Sequence, residues 1–115
     1  TVVDAREAWA TRERFAAATA LRVGMMGEVA RELAYGPRTA VVVVAHDYKF
    51  ELPVLRLVLA TGAGYVGVLG SRRRVAALLD FLAGDGVPEA QRARMHAPVG
   101  LDLGARTPAE IALSI

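Results

Sequence analysis

The sequence contains no cysteine, so disulfides, thiolate-bound metals and cysteine nucleophiles are excluded within these 115 residues. No apolar run approaches the roughly 20 residues that a membrane-spanning helix needs, and the N-terminus carries no secretory leader pattern. These absences argue against a membrane partner and fit a cytoplasmic protein. Lysine is almost missing, with one residue against thirteen arginines, yet the net charge is only +2. Arg72, Arg73 and Arg74 are the one local cluster, and no aromatic side chains interleave them. That pattern argues against nucleic acid as a partner. A GC-rich genome accounts for the arginine bias. The two histidines, His46 and His96, stand far apart with no ligand-like spacing to a third donor, so no metal site is expected. No Ser/His/Asp order or paired-carboxylate arrangement suggests a catalytic residue.

Apolar residues are abundant, at 54% of the chain. In a single domain of this length the excess marks a sheet buried on both faces, or a face kept for a partner or a second copy. The chain opens directly in Thr1-Val2-Val3-Asp4, which reads as a strand, and stops at Ile115 inside an apolar helical run. The expectation is one domain, residues 1–115, from a longer protein.

Elements alternate along the chain. Residues 26–34 have one apolar helical face, and Gly36-Pro37 breaks it. Ala40 to Ala45 is a continuous β-branched run, expected to be buried on both faces. Pro53 is placed in the first turn of the next helix, with Leu52, Leu55, Val58 and Leu59 at helical spacing. Tyr65–Leu69 forms the next strand. Val75, Leu78, Leu79 and Leu82 mark a helix that Gly84-Asp85-Gly86 ends. Residues 89–95 suggest a short polar helix, and Thr107-Pro108-Ala109-Glu110 a capping box that opens a last one. This alternation predicts an α/β, doubly wound, mostly parallel sheet.

Two segments carry the chemistry. Gly70-Ser71-Arg72-Arg73 follows a strand and opens a helix, so free N–H groups, a serine hydroxyl and two arginines face one place, which suits a phosphate. The same residues also make an ordinary capped helix with solvated arginines. The second segment runs from His96 through Gly100, Asp102 and Gly104 to Arg106, rich in turn residues and isolated charges; Asp102 and Arg106 there also suit a structural ion pair. His46-Asp47 closes a strand on the carboxyl edge, where open α/β sheets bind ligands, and Asp4 ends a strand where an acid grips ribose in dinucleotide-binding folds. Gly62-Ala-Gly64-Tyr-Val-Gly67 matches G-x-G-x-x-G, but it follows a helix and opens a strand, the reverse of a dinucleotide fingerprint.

Val3-Asp4-Ala-Arg6 with Arg14-Phe15, Val44-Ala-His46-Asp47 with Leu52-Pro-Val-Leu55, Gly64-Tyr-Val-Gly67 through Arg73, and His96 through Ala112 together resemble the C-terminal Rossmann domain of the XdhC/CoxI family. These are accessory proteins that mature molybdenum hydroxylases such as xanthine dehydrogenase and carbon monoxide dehydrogenase. The family's domain usually opens with a further strand and a Gly-rich turn, which are not among these residues. Its members often have lysine where this chain has Arg74, and aspartate where it has Glu51. The resemblance implies a chaperone that binds molybdenum cofactor (molybdopterin, with or without a nucleotide) and inserts it into a recipient apoenzyme. Cofactor-processing proteins are a further candidate partner, and the apolar excess leaves room for a homodimer. Asp4, His46, Asp47, Gly67, Gly70, Ser71, Arg72, Arg73, His96, Gly100, Asp102, Gly104 and Arg106 are then the candidate cofactor-binding residues. The alternative is an NAD(P)-dependent oxidoreductase using the same edge, with His46 or His96 as proton donor.

Overall fold

In the computed structural model, which describes residues Thr1 to Ile115, five strands and five helices follow one another, and every strand pair is parallel. The order is β1 (Val2–Asp4), β2 (Leu21–Val23), α1 (Met26–Glu32), β3 (Ala40–Val43), α2 (Tyr48–Leu59), β4 (Tyr65–Val68), α3 (Arg72–Gly84), α4 (Glu89–Arg92), β5 (Met95–His96) and α5 (Pro108–Ser114). β1 pairs with β2, while β3, β4 and β5 form a second sheet in that order. This is a Rossmann-like α/β arrangement, as the alternation predicts. No helix is long and apolar enough to cross a membrane.

Helix α2 shows why the core forms. Glu51, Val54, Leu55, Val58 and Leu59 are its buried residues, spaced so that they share one helical stripe. They meet Leu78 and Leu82 of α3 and Val43, Val66 and Val68 of the sheet in one cluster. The register sets Val41 opposite Val66 and Val43 opposite Val68, so one sheet face carries all four valines. Helix α1 closes on α2 where a Cβ on Gly27 would stand 2.8 Å from the Pro53 Cβ.

Two sequence expectations change. The β3 run is not buried on both faces: Val42 is 40% exposed and Val44 is 64% exposed. The helices of the core cluster cover the Val41–Val43 face, and the opposite face of β3 has no layer over it. Pro53 lies inside α2, not in its first turn. Asp47 caps the helix by accepting from the Lys49 N–H at 2.9 Å, so the helix starts five residues earlier, and the proline ring has no N–H to offer the Lys49 carbonyl. The G-x-G-x-x-G match is a helix stop, as expected: a Cβ on Gly64 would fall 2.0 Å from the Pro37 carbonyl oxygen, so close chain packing explains this glycine.

Candidate functional site

Because β3, β4 and β5 are parallel, their carboxyl ends lie along one edge, where ligands sit in such sheets. β4 delivers Gly70 and Ser71 to that edge. Ser71 has extended backbone angles and its hydroxyl accepts from the Arg74 N–H at 3.3 Å, which starts α3. The remaining first-turn N–H groups of this 13-residue helix point outward, with the positive end of its dipole.

The three arginines divide. Arg72 pairs with Asp102 at 3.1 Å, and both side chains are more than four-fifths exposed. Such a pair contributes about 0–1 kcal/mol. Arg73 is exposed and has no side-chain partner. Arg74 faces inward: it bonds Glu51 Oε2, and its guanidinium carbon lies 4.4 Å from the centre of the Tyr48 ring. Its stem also fills the space at Gly70, where a Cβ would stand 3.3 Å from Arg74 Cδ. Glu51 is fully buried, and its Oε1 has no hydrogen-bond partner. Burial pushes its carboxyl pKa up, against the opposing pull of Arg74, with Asp47 raising it further and His46 lowering it. The Ser71 turn is thus tied to the start of α2, close to His46 and Asp47. Sequence reasoning missed this clamp. The signal was Glu51 itself, an acid three and four residues before Val54 and Leu55 on the buried stripe, which demands a cation.

The other candidates are more dispersed. His46 is exposed at the end of the β3 segment, beside the capping Asp47. Gly67 is opposite His96 in register, and a Cβ there would meet Val99 at 2.6 Å and the Tyr65 ring at 2.8 Å. His96 stacks on Tyr65, with centroids 4.5 Å apart. These two border an open depression of about 360 Å³ with Pro98, Gly100 and Ser114, which does not include the Ser71 turn. Gly100 has φ +92°, and its neighbour Leu101 donates to the Ser114 carbonyl at 2.8 Å, so this glycine seats the end of α5. Gly104 also has positive φ, +70°, with open space around it. Arg106 is exposed and gives its backbone N–H to Glu110. The capping box forms as expected, and the backbone N–H groups of Thr107 and Arg106 hold the Glu110 pKa below its ordinary value. Asp4 accepts three bonds from Arg6. No three His, Cys, Asp or Glu side chains stand close enough together to hold a metal ion.

The parallel strands and this edge define a Rossmann-like domain. The family description "XdhC Rossmann domain" matches residues 1–115, and the chain belongs to that family. It is 32% identical over 114 residues to a probable xanthine dehydrogenase subunit of Bacillus subtilis (strain 168), covering 99% of this chain and 32% of that protein. It is 36% identical over 77 residues to the molybdenum cofactor insertion chaperone PaoD of Escherichia coli (strain K12), covering 67% of this chain and 24% of PaoD. A crystal structure of a xanthine dehydrogenase from Bacillus halodurans superposes with a TM-score of 0.81 at 28% identity, covering 99% of this chain and 33% of that one. The chain therefore spans about a third of the length of these two full-coverage relatives.

Proposed function

We propose that this domain binds molybdenum cofactor and hands it to a molybdenum hydroxylase apoenzyme of the xanthine dehydrogenase type. The carrying observation is the Ser71-capped start of α3 at the carboxyl end of β4, with Arg72 and Arg73 both exposed beside it. The cofactor is cargo here. Its phosphate tail is met by the free N–H groups of the α3 first turn and by the forked donors of Arg72 and Arg73. Arg72 exchanges its exposed Asp102 partner for the phosphate. Arg74 stays bound to Glu51 and keeps the turn in place. His46, Asp47 and the Gly100–Arg106 loop border the rest of the crevice. With no cysteine in the chain, these residues offer the metal no thiolate, so recognition falls on the phosphate and the pterin. The name of PaoD, a relative over two thirds of the chain, supports this reading.

The test is a titration of the full-length protein with molybdenum cofactor, with NAD(P) run in parallel. Saturable cofactor binding with NAD(P) silent is the expected result. Binding of NAD(P) alone would overturn the chaperone reading and move the protein to the oxidoreductases.

A further inference from the structure

The chain between β5 and α5 forms a strap that is pinned at both ends and tied at one point between them. At its start the Leu101 N–H donates to the Ser114 carbonyl at 2.8 Å. At its end the Arg106 N–H donates to Glu110 Oε2 at 2.9 Å, beside the capping box of α5. Residues 102–105 make one bond within their own turn, from the Leu103 N–H to the Leu101 carbonyl at 2.9 Å. Their one hydrogen bond to the rest of the fold is the Asp102 carboxylate accepting from Arg72 at 3.1 Å. Gly104 has φ +70°, which glycine adopts without strain, and nothing lies within 4 Å of the place where its Cβ would be. Leu101 and Leu103, on either side of Asp102, are 70% and 63% exposed. A single carboxylate therefore ties an otherwise free-standing strap to the Ser71 turn.

We propose that Asp102 is a built-in competitor: in the empty protein its carboxylate stands on Arg72 in place of the ligand's phosphate, and a bound phosphate takes Arg72 and releases the strap. This regulates the site of the proposed function and rests on that reading. A phosphate dianion brought to the Arg72 guanidinium meets the Asp102 charge, and two anions sharing one exposed cation repel each other. The Arg72–Asp102 pair is exposed on both sides and so is weak. The phosphate has more to hold it, because Arg73 and the first-turn N–H groups of α3 face the same place. The phosphate wins, and Asp102 leaves. Linkage makes the effect reciprocal: loading frees the strap, and whatever frees the strap raises affinity for the load.

The full-length protein is titrated calorimetrically with molybdenum cofactor and, separately, with inorganic phosphate. D102N keeps the shape of the side chain and removes its charge. It should bind both ligands about two- to fivefold more tightly than wild type, the range of one weak exposed pair, and melt at the same temperature. R72A should bind both more weakly. Opposite signs from the two halves of one ion pair mark a competitor, because a merely structural pair loses affinity whichever half is removed. Strap motion is followed by NMR relaxation of the Leu103 and Gly104 amides. In the empty protein both amides should be more mobile in D102N and R72A than in wild type, and saturating ligand should bring wild type to the same mobility. Release by phosphate without any binding of cofactor would contradict the cofactor reading and support the strap. A D102N variant that binds phosphate no more tightly than wild type would overturn the proposal. So would a strap that stays as rigid in the two variants, or in phosphate-treated wild type, as in the empty protein.

Discussion

Glu51 is an acid on a helix stripe that otherwise carries valine and leucine. Removing it strands the Arg74 guanidinium, so E51A should lose about 3 kcal/mol of stability, the scale of breaking one partner out of a buried pair. The pH dependence has a definite sign. Burial raises the folded-state pKa above the ordinary 4.5, so the folded chain binds the extra proton in the window above that value. The contribution of Glu51 to stability is therefore most favourable below pH 4.5 and declines as pH rises through the raised value. E51Q removes this titration. In urea unfolding at a series of pH values, the stability of wild type relative to E51Q should fall from about pH 4.5 upward. A flat difference would contradict a carboxyl pKa raised by burial. At this scale the sequence was only half legible: it shows Ser71, Arg72 and Arg73, but not which arginine turns inward. That choice depends on Glu51 and Tyr48, more than twenty residues earlier in the chain.

Helices and strands were more legible than their edges. Apolar spacing located α2 and α3, and the Thr107–Glu110 pattern located α5. Pro53 misplaced the start of α2, because the Asp47 cap sets that boundary. The exposure of Val42 and Val44 escaped notice, because the run itself cannot say whether a second layer covers it. The end of α2 depends on a distant residue too. Arg94 donates to the carbonyls of Leu59 at 2.7 Å and Thr61 at 2.8 Å, and also to that of Ala63. Leu59 is the last residue of α2, so its carbonyl needs an outside partner, and Thr61 and Ala63 lie in the turn just beyond. R94A should cost about 2 kcal/mol, the scale of lost hydrogen bonds to a charged group. Thermal unfolding checks this, and an unchanged midpoint would contradict the capping role. Gly67→Ala should also destabilise, by about 1–3 kcal/mol, because Val99 and the Tyr65 ring occupy the space of its Cβ.

The parallel α/β class and the family were legible across the whole molecule, because strand–helix alternation and long motif blocks survive without knowledge of contacts. The sheet's division into two parts was not. Thr39 and Val43 carbonyls accept from the β4 segment, so the intervening Val42 turns its own N–H and C=O away from β4. Val2 donates to the Ala20 carbonyl and Asp4 accepts from Gly24, so Val3 likewise turns its groups away from β2. A further strand of the kind the family resemblance implies would pair with both edges and join the sheets. Amide hydrogen exchange at Val3 and Val42 should then be slow in a protein that carries such a strand. Fast exchange at both would rule out that strand.

We propose that Arg72 and Arg73, set on the Ser71 turn and braced by Arg74 and Glu51, hold the phosphate of the cofactor. Calorimetric titration of molybdenum cofactor into full-length wild type and R72A/R73A tests it most directly, with thermal unfolding run on both. Wild type should bind saturably, and a double variant that melts at the same temperature should bind at least about tenfold more weakly, since hydrogen bonds to charged groups contribute about 1.5–3 kcal/mol each. A folded double variant that binds as tightly as wild type would contradict it.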